Sequence, residues 1–140
     1  MSTRSSLQRA TIFAATLVAL AGAARAADAD FCGTPTATPQ ALQATVSKAD
    51  GVKEIFRNKE FVAYQDGNSQ TLYTFTEPAE QSHPAAVCRK PVKTGDDLTL
   101  EMAIVCQGKA EECQRLEADF KLLNAKMEAD IRNQASAASK

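Results

Sequence analysis

At 140 residues the chain is long enough for one domain and too short for two ordinary ones. With 44% hydrophobic and 24% charged residues it is neither globally disordered nor a coiled coil, and a formal net charge of -1 gives no electrostatic pull toward nucleic acid. One His and four Cys, without dense spacing, leave little material for a metal centre, so no metal or other cofactor is expected.

Residues 1–26 read as a secretory signal peptide. Arg4 and Arg9 form a basic start, Ala10 to Ala21 is an uncharged apolar run, and Ala24-Arg25-Ala26 offers small residues where a signal peptidase cuts. The apolar run is shorter than the roughly 20 residues a spanning helix needs, so no membrane anchor is expected. Arg4 has no twin, and Asp30 and Phe31 before Cys32 do not fit a lipidation site. The mature chain then starts near Ala27. Losing Arg4, Arg9 and Arg25 takes the formal net charge from -1 to -4. The expected destination is the bacterial periplasm or the medium.

A single domain is expected over 27–133. Thr38-Pro39 starts a short helix, with Thr as N-cap and Pro at the first helical position. It carries Leu42 and Val46 on one stripe and ends at Asp50-Gly51. Val52–Arg57 and Glu60–Gln65 read as strands, with Asn58-Lys59 as either a turn or a bulge within one long strand. Asp66-Gly67-Asn68-Ser69 is a turn that makes Glu60–Gln65 and Gln70–Thr76 a hairpin. Glu77–Ala85, broken by Pro78 and Pro84, is a loop, and Ala86–Val92 is the next strand. After a turn at Lys93–Asp97, Leu98–Cys106 alternates most cleanly. Leu98, Leu100, Met102, Ile104 and Cys106 fall on one face, and the other face is expected to be largely wet.

Gly108 breaks that pattern, and the period becomes helical. Cys113, Leu116, Phe120, Leu123, Met127 and Ile131 recur three and four apart. Glu111–Arg115, Glu117–Lys121 and Glu128–Arg132 are i, i+4 acid-before-base pairs. A helix from Ala110 to Asn133 would be about 36 Å long. Its end would project past the sheet or meet a partner, which allows a homodimer through this helix. Residues 134–140 are expected to be a disordered tail. The fold class is therefore α+β: a small meander-like antiparallel sheet of three to five strands, with a short N-terminal helix and a long C-terminal helix packed on one face, in two layers.

Four Cys in an exported domain of this size read as two disulfides. Cys106–Cys113 with Cys32–Cys88 is preferred, because a helix folding back over the strand it follows brings Cys113 above the strand end. Cys88–Cys106 with Cys32–Cys113 is the rival. A turn centred near residue 95 sets Cys88 opposite Met102, so the rival needs a shifted register.

No catalytic constellation is recognisable, and the protein is expected not to be an enzyme. His83 lies in a polar loop beside Ser82, but adjacency does not make a catalytic pair. Asp96-Asp97 and Glu111-Glu112 read as turn and helix-start residues. The candidate interaction surface is Phe61, Tyr64, Tyr73 and Phe75 of the hairpin, half of them expected to face outward, together with the His83 loop. The expected function is a non-catalytic binding or accessory module of the bacterial envelope, of inhibitor or immunity type, whose partner is another envelope protein. The alternatives are a small periplasmic hydrolase using His83 and a helix-mediated structural homo-oligomer.

Overall fold

The computed structural model describes residues 30–140. The signal peptide and its cleavage position lie outside the described residues. The chain runs through β1 (Asp30–Phe31), β2 (Thr34–Pro35), α1 (Pro39–Val46), β3 (Val52–Arg57), β4 (Phe61–Asp66), β5 (Leu72–Thr76), β6 (Ala85–Thr94), β7 (Asp97–Cys106) and α2 (Ala110–Ala138). Strands β3 to β7 form one antiparallel sheet in chain order, and β1 pairs with β2 in a separate small ribbon. The architecture is α+β, with a five-stranded meander between a short helix and a long one.

Local chemistry sets most element ends. Thr38 caps α1, its hydroxyl accepting from the Ala41 N–H at 3.2 Å. The helix closes at Val46, earlier than Asp50, and Gly51 then takes φ +82° in the turn into β3. Asn58 makes a true turn. Its side chain accepts from the Glu60 and Phe61 N–H groups, and its own N–H donates to the Phe61 carbonyl. A bulge also exists, but within β3, between Glu54 and Phe56. Together with Lys53, Glu54 and Arg57 it discourages another strand from adding to this edge. At the next turn Asp66 accepts from the Asn68 N–H and the Ser69 hydroxyl. The Ser69 bond leads in holding its carboxyl below the usual carboxylate range.

Strand parity divides the apolar residues between two cores. Val62, Tyr64, Tyr73, Phe75, Ala86 and Cys88 share one face, packed with Phe31 and with Leu42 and Val46 of α1. Ala85 and Val87 face the other way and meet Leu116 of α2, with Met102, Ile104 and Phe120 at the margin. Each helix thus packs on its own face, and the expected two layers become three. This also explains β7. The face expected to be wet is so only over its first half: Thr99 and Glu101 are exposed, but Ala103 and Val105 pack against the α1-side core. No residue of β7 is fully buried, whereas Ala85–Arg89 of β6 is buried throughout, because β7 is an edge and β6 is not.

The hairpin between β6 and β7 turns on Gly95 and Asp96, with Gly95 at φ +63° and Thr94 paired to Asp97. Cys88 therefore lies opposite Ala103, one residue from the Met102 expected. The disulfides are Cys32–Cys88 and Cys106–Cys113, the preferred pairing, and no cysteine among the described residues is free. Two such bridges fit a small stabilised extracellular protein. No helix among the described residues is long and apolar enough to cross a membrane.

Helix α2 continues to Ala138, so 134–138 is helical where a tail was expected. The segment is rich in Ala, the strongest helix former. Its acid–base pattern is also partly rearranged. Glu117 pairs with Lys121, but Arg115 pairs with Glu112, and Glu128 accepts from the Leu100 N–H on β7 at 2.7 Å. Gly108, which reads in sequence as a mere break, is a close approach. A Cβ there would clash with the Ser82 carbonyl oxygen and stand 2.8 Å from its carbon. Ser82 is fully buried, so the 77–84 loop cannot simply lift away. Gly108→Ala is expected to lower stability by roughly 1–3 kcal/mol through this overpacking. Urea unfolding checks it, and an unchanged midpoint would show that the loop yields freely.

Candidate functional site

The hairpin aromatics do not form the expected surface. Tyr64, Tyr73 and Phe75 are all core residues on the α1 side, and Phe75 is only 1% exposed. Tyr64 and Phe75 meet edge to face at 5.9 Å, and burial leads in pushing the Tyr73 phenol above its ordinary pKa. The reason is parity: Val62, Tyr64, Tyr73 and Phe75 all fall on one face once the register pairs Tyr64 with Tyr73. Of the hairpin set only Phe61 faces the α2 side.

His83 is half-buried beside the end of β5. Its Nδ1 stands 2.8 Å from the Thr76 carbonyl oxygen and 3.3 Å from the Thr76 hydroxyl. The buried Ser82 hydroxyl donates to Glu80, and Ser69 bonds Asp66 and Thr71. The sequence neighbours His83 and Ser82 are thus turned to different partners, and neither serine is hydrogen-bonded to the imidazole. Among the described residues no cluster of three or more His, Cys, Asp or Glu converges on a metal position.

The feature that does stand out is a half-open groove of about 500 Å³ between α2 and the sheet. That volume lies within the roughly 300–1,000 Å³ typical of small-molecule sites. The groove exists because of where α2 is tied. Cys113 joins its first turns to Cys106 at the end of β7, Leu116 seats on Ala85 and Val87, and Glu128 holds the β7 backbone. The helix therefore runs over the β6–β7 side and leaves the β3–β5 side of this face open. Phe56, Phe61, Ala63 and Thr74 form the sheet wall, and Leu116, Phe120 and Leu123 form the helix wall. Phe56 is 51% exposed and Leu123 is 41% exposed, large values for such apolar side chains. Glu80, Glu112, Arg115 and Asp119 also line it, and Arg115 is engaged by Glu112 and Gln81.

Arg89 of β6 also lines this groove and is only 9% exposed. It makes no ion pair among the described residues. Its guanidinium lies over the Phe120 ring at 5.3 Å, and Nη1 donates to the Met127 sulfur at 3.2 Å. A thioether is a weak acceptor, and Nε has no hydrogen-bond partner among the described residues. Burial holds the guanidinium below its ordinary pKa, although arginine stays protonated at neutral pH. Asn124, on the same stripe of α2 between Phe120 and Met127, is likewise buried with an unpartnered Oδ1.

Sequence reasoning missed the groove, though a signal was present. In Ala85-Ala86-Val87-Cys88-Arg89, period two puts Arg89 on the face of Ala85 and Val87, a charge at an inward position. Asn124 similarly interrupts the apolar stripe of α2. Phe56 was hidden by the bulge, which moves it to the face opposite Glu54. No family model, curated protein or solved structure matches the chain.

Proposed function

We propose that the protein is a non-catalytic, disulfide-stabilised binding module exported to the bacterial envelope, and that the groove between α2 and the sheet is its binding site. The observation that carries this reading is the meeting of Phe56, Phe61 and Phe120 around a groove whose buried arginine lacks a full partner. Apolar walls with a few placed polar groups are what a ligand site requires. The secretory leader pattern and the two disulfides support an oxidising destination.

The test uses a neutral apolar fluorophore, N-phenylnaphthylamine. Its emission is expected to rise on adding the purified disulfide-bonded protein, and Phe61→Ala is expected to weaken the binding by about tenfold. Phe61 is partly buried at the groove wall, so circular dichroism confirms that the variant folds. No binding by the native protein, or equal binding by folded Phe61→Ala, would remove the groove as the site. His83→Ala is expected to leave that affinity within about 1 kcal/mol, because the imidazole is turned to Thr76. The hydrolase alternative makes the opposite demand: losing a general base costs about 10²–10⁴-fold in rate.

The homodimer alternative has one observation in its favour. Leu122, on the outer side of α2, is 71% exposed. Sedimentation of the native protein beside Leu122→Lys decides it, since a dimer built there dissociates in the variant.

A further inference from the structure

The inference rests on the reading of the groove as a binding site and concerns what it binds. Apolar walls alone select any greasy body. Arg89 adds something an apolar groove does not need: a cation that is nine-tenths buried and, among the described residues, held only by an aromatic face and a thioether. Buried charges are ordinarily paired. A guanidinium is a flat fork of donors that matches a carboxylate in two parallel bonds. We propose that the groove takes a monocarboxylate with an apolar body, the carboxylate seated on the Arg89 guanidinium and the body lying between Phe61 and Phe120.

The charge layout narrows the ligand further. Glu80, Glu112 and Asp119 also line the groove, against a single additional cation, Arg115, that is already engaged by Glu112. A phosphate ester or another polyanion would meet those carboxylates and find one guanidinium. A single negative charge on a small head avoids most of that repulsion while gaining the buried arginine. The low-dielectric surroundings of Arg89 strengthen that one pairing relative to water. The same desolvation makes the unliganded arginine a burden on the fold, so its apolar replacement is expected to fold at least as stably.

Decanoate and phenylbutyrate, compared with decanol and phenylbutanol, test the idea. Each competes against bound N-phenylnaphthylamine, and each is also titrated directly by calorimetry. The carboxylates are expected to bind at least about tenfold tighter than their alcohols, the equivalent of one charge-assisted hydrogen bond. Preference between the two acids reports whether the body is a chain or a ring. In Arg89→Met the carboxylate advantage is expected to vanish while alcohol binding stays, with a thermal midpoint equal to or above that of the native protein. Arg89→Lys keeps the charge without the fork and is expected to fall between. Fluorophore binding with no carboxylate preference, or a preference that survives in Arg89→Met, overturns this inference and leaves the groove reading standing. If neither fluorophore nor acid binds, both fall. Should Arg89→Met fail to fold, the native acid-against-alcohol comparison and Arg89→Lys still decide.

Discussion

Replacing Cys32 and Cys88 together by alanine is expected to lower stability by about 4 kcal/mol, and replacing Cys106 and Cys113 together by about 2.5 kcal/mol. The difference comes from loop length. The first bridge spans 56 positions and the second 7, and a longer closed loop removes more freedom from the unfolded chain. The first bridge also does more in the native state. It ties the β1–β2 ribbon to β6, an interior strand of the sheet, next to Phe31, which is fully buried against Tyr73. A domain of this size commonly has only 5–15 kcal/mol of total stability, so the first variant should be close to unfolding at physiological temperature. Urea unfolding of both alanine pairs checks the order. Equal losses would mean that native-state packing, and not loop closure, sets the contribution of each bridge. Because Cys106–Cys113 anchors α2 over the groove, its removal should also weaken fluorophore binding more than removal of the larger loop does, provided both variants are folded.

Phe75→Ala is expected to destabilise by roughly 3–5 kcal/mol, as truncation of a well-packed core aromatic does. Phe75 is almost wholly buried and makes an edge-to-face contact with Tyr64. The residues around it belong to β4, β6 and α1, so the cavity has rigid walls on several sides. The unfolding midpoint should fall with little change in the slope against urea. This separates the core role from the surface role that its place in an aromatic hairpin suggests. A surface anchor would lose affinity at an unchanged midpoint. A core residue loses the midpoint first, and any folded fraction binds normally, because Phe75 faces away from the groove. Phe75→Ala and the Cys32/Cys88 variant share one cluster, so their effects are not expected to add.

The surface role was a reasonable expectation for those aromatics, and its failure has one cause. A hairpin's alternation shows that residues divide between two faces, but not which face is covered. Tyr73 and Phe75 lie on one face, and Tyr64 joins them only because β4 and β5 pair Tyr64 with Tyr73. The four cysteines follow the same logic. With Cys88 opposite Ala103, Cys88 and Cys106 stand on opposite faces of the sheet, so Cys88–Cys106 cannot close. A register one residue away, with Cys88 opposite Met102, would have put both on one face, but four strand positions would still separate Met102 from Cys106, too far for a disulfide.

Local features were therefore determined by the sequence itself. The Thr38 cap, the Asp66 turn, the strands from β3 to β7 and the start of α2 all follow from side chains acting within a few residues of their own backbone. So did the presence of two disulfides, since four cysteines in a small domain behind a secretory leader pattern need little else. What needed the tertiary structure was every property that depends on two distant segments meeting. The placing of α1 and α2 on opposite faces depends on which stripe each helix presents to which core. The closeness of Gly108 to Ser82 joins residues 26 positions apart in the chain. The groove is a gap left by α2, whose path is set by Cys106–Cys113 and Leu116 together, so no single segment encodes it. Arg89 carried a local hint as a charge at an inward strand position. Only the packing of Phe120 and Met127 over it, with no ion-pair partner among the described residues, turned that hint into a buried, incompletely partnered cation lining the groove.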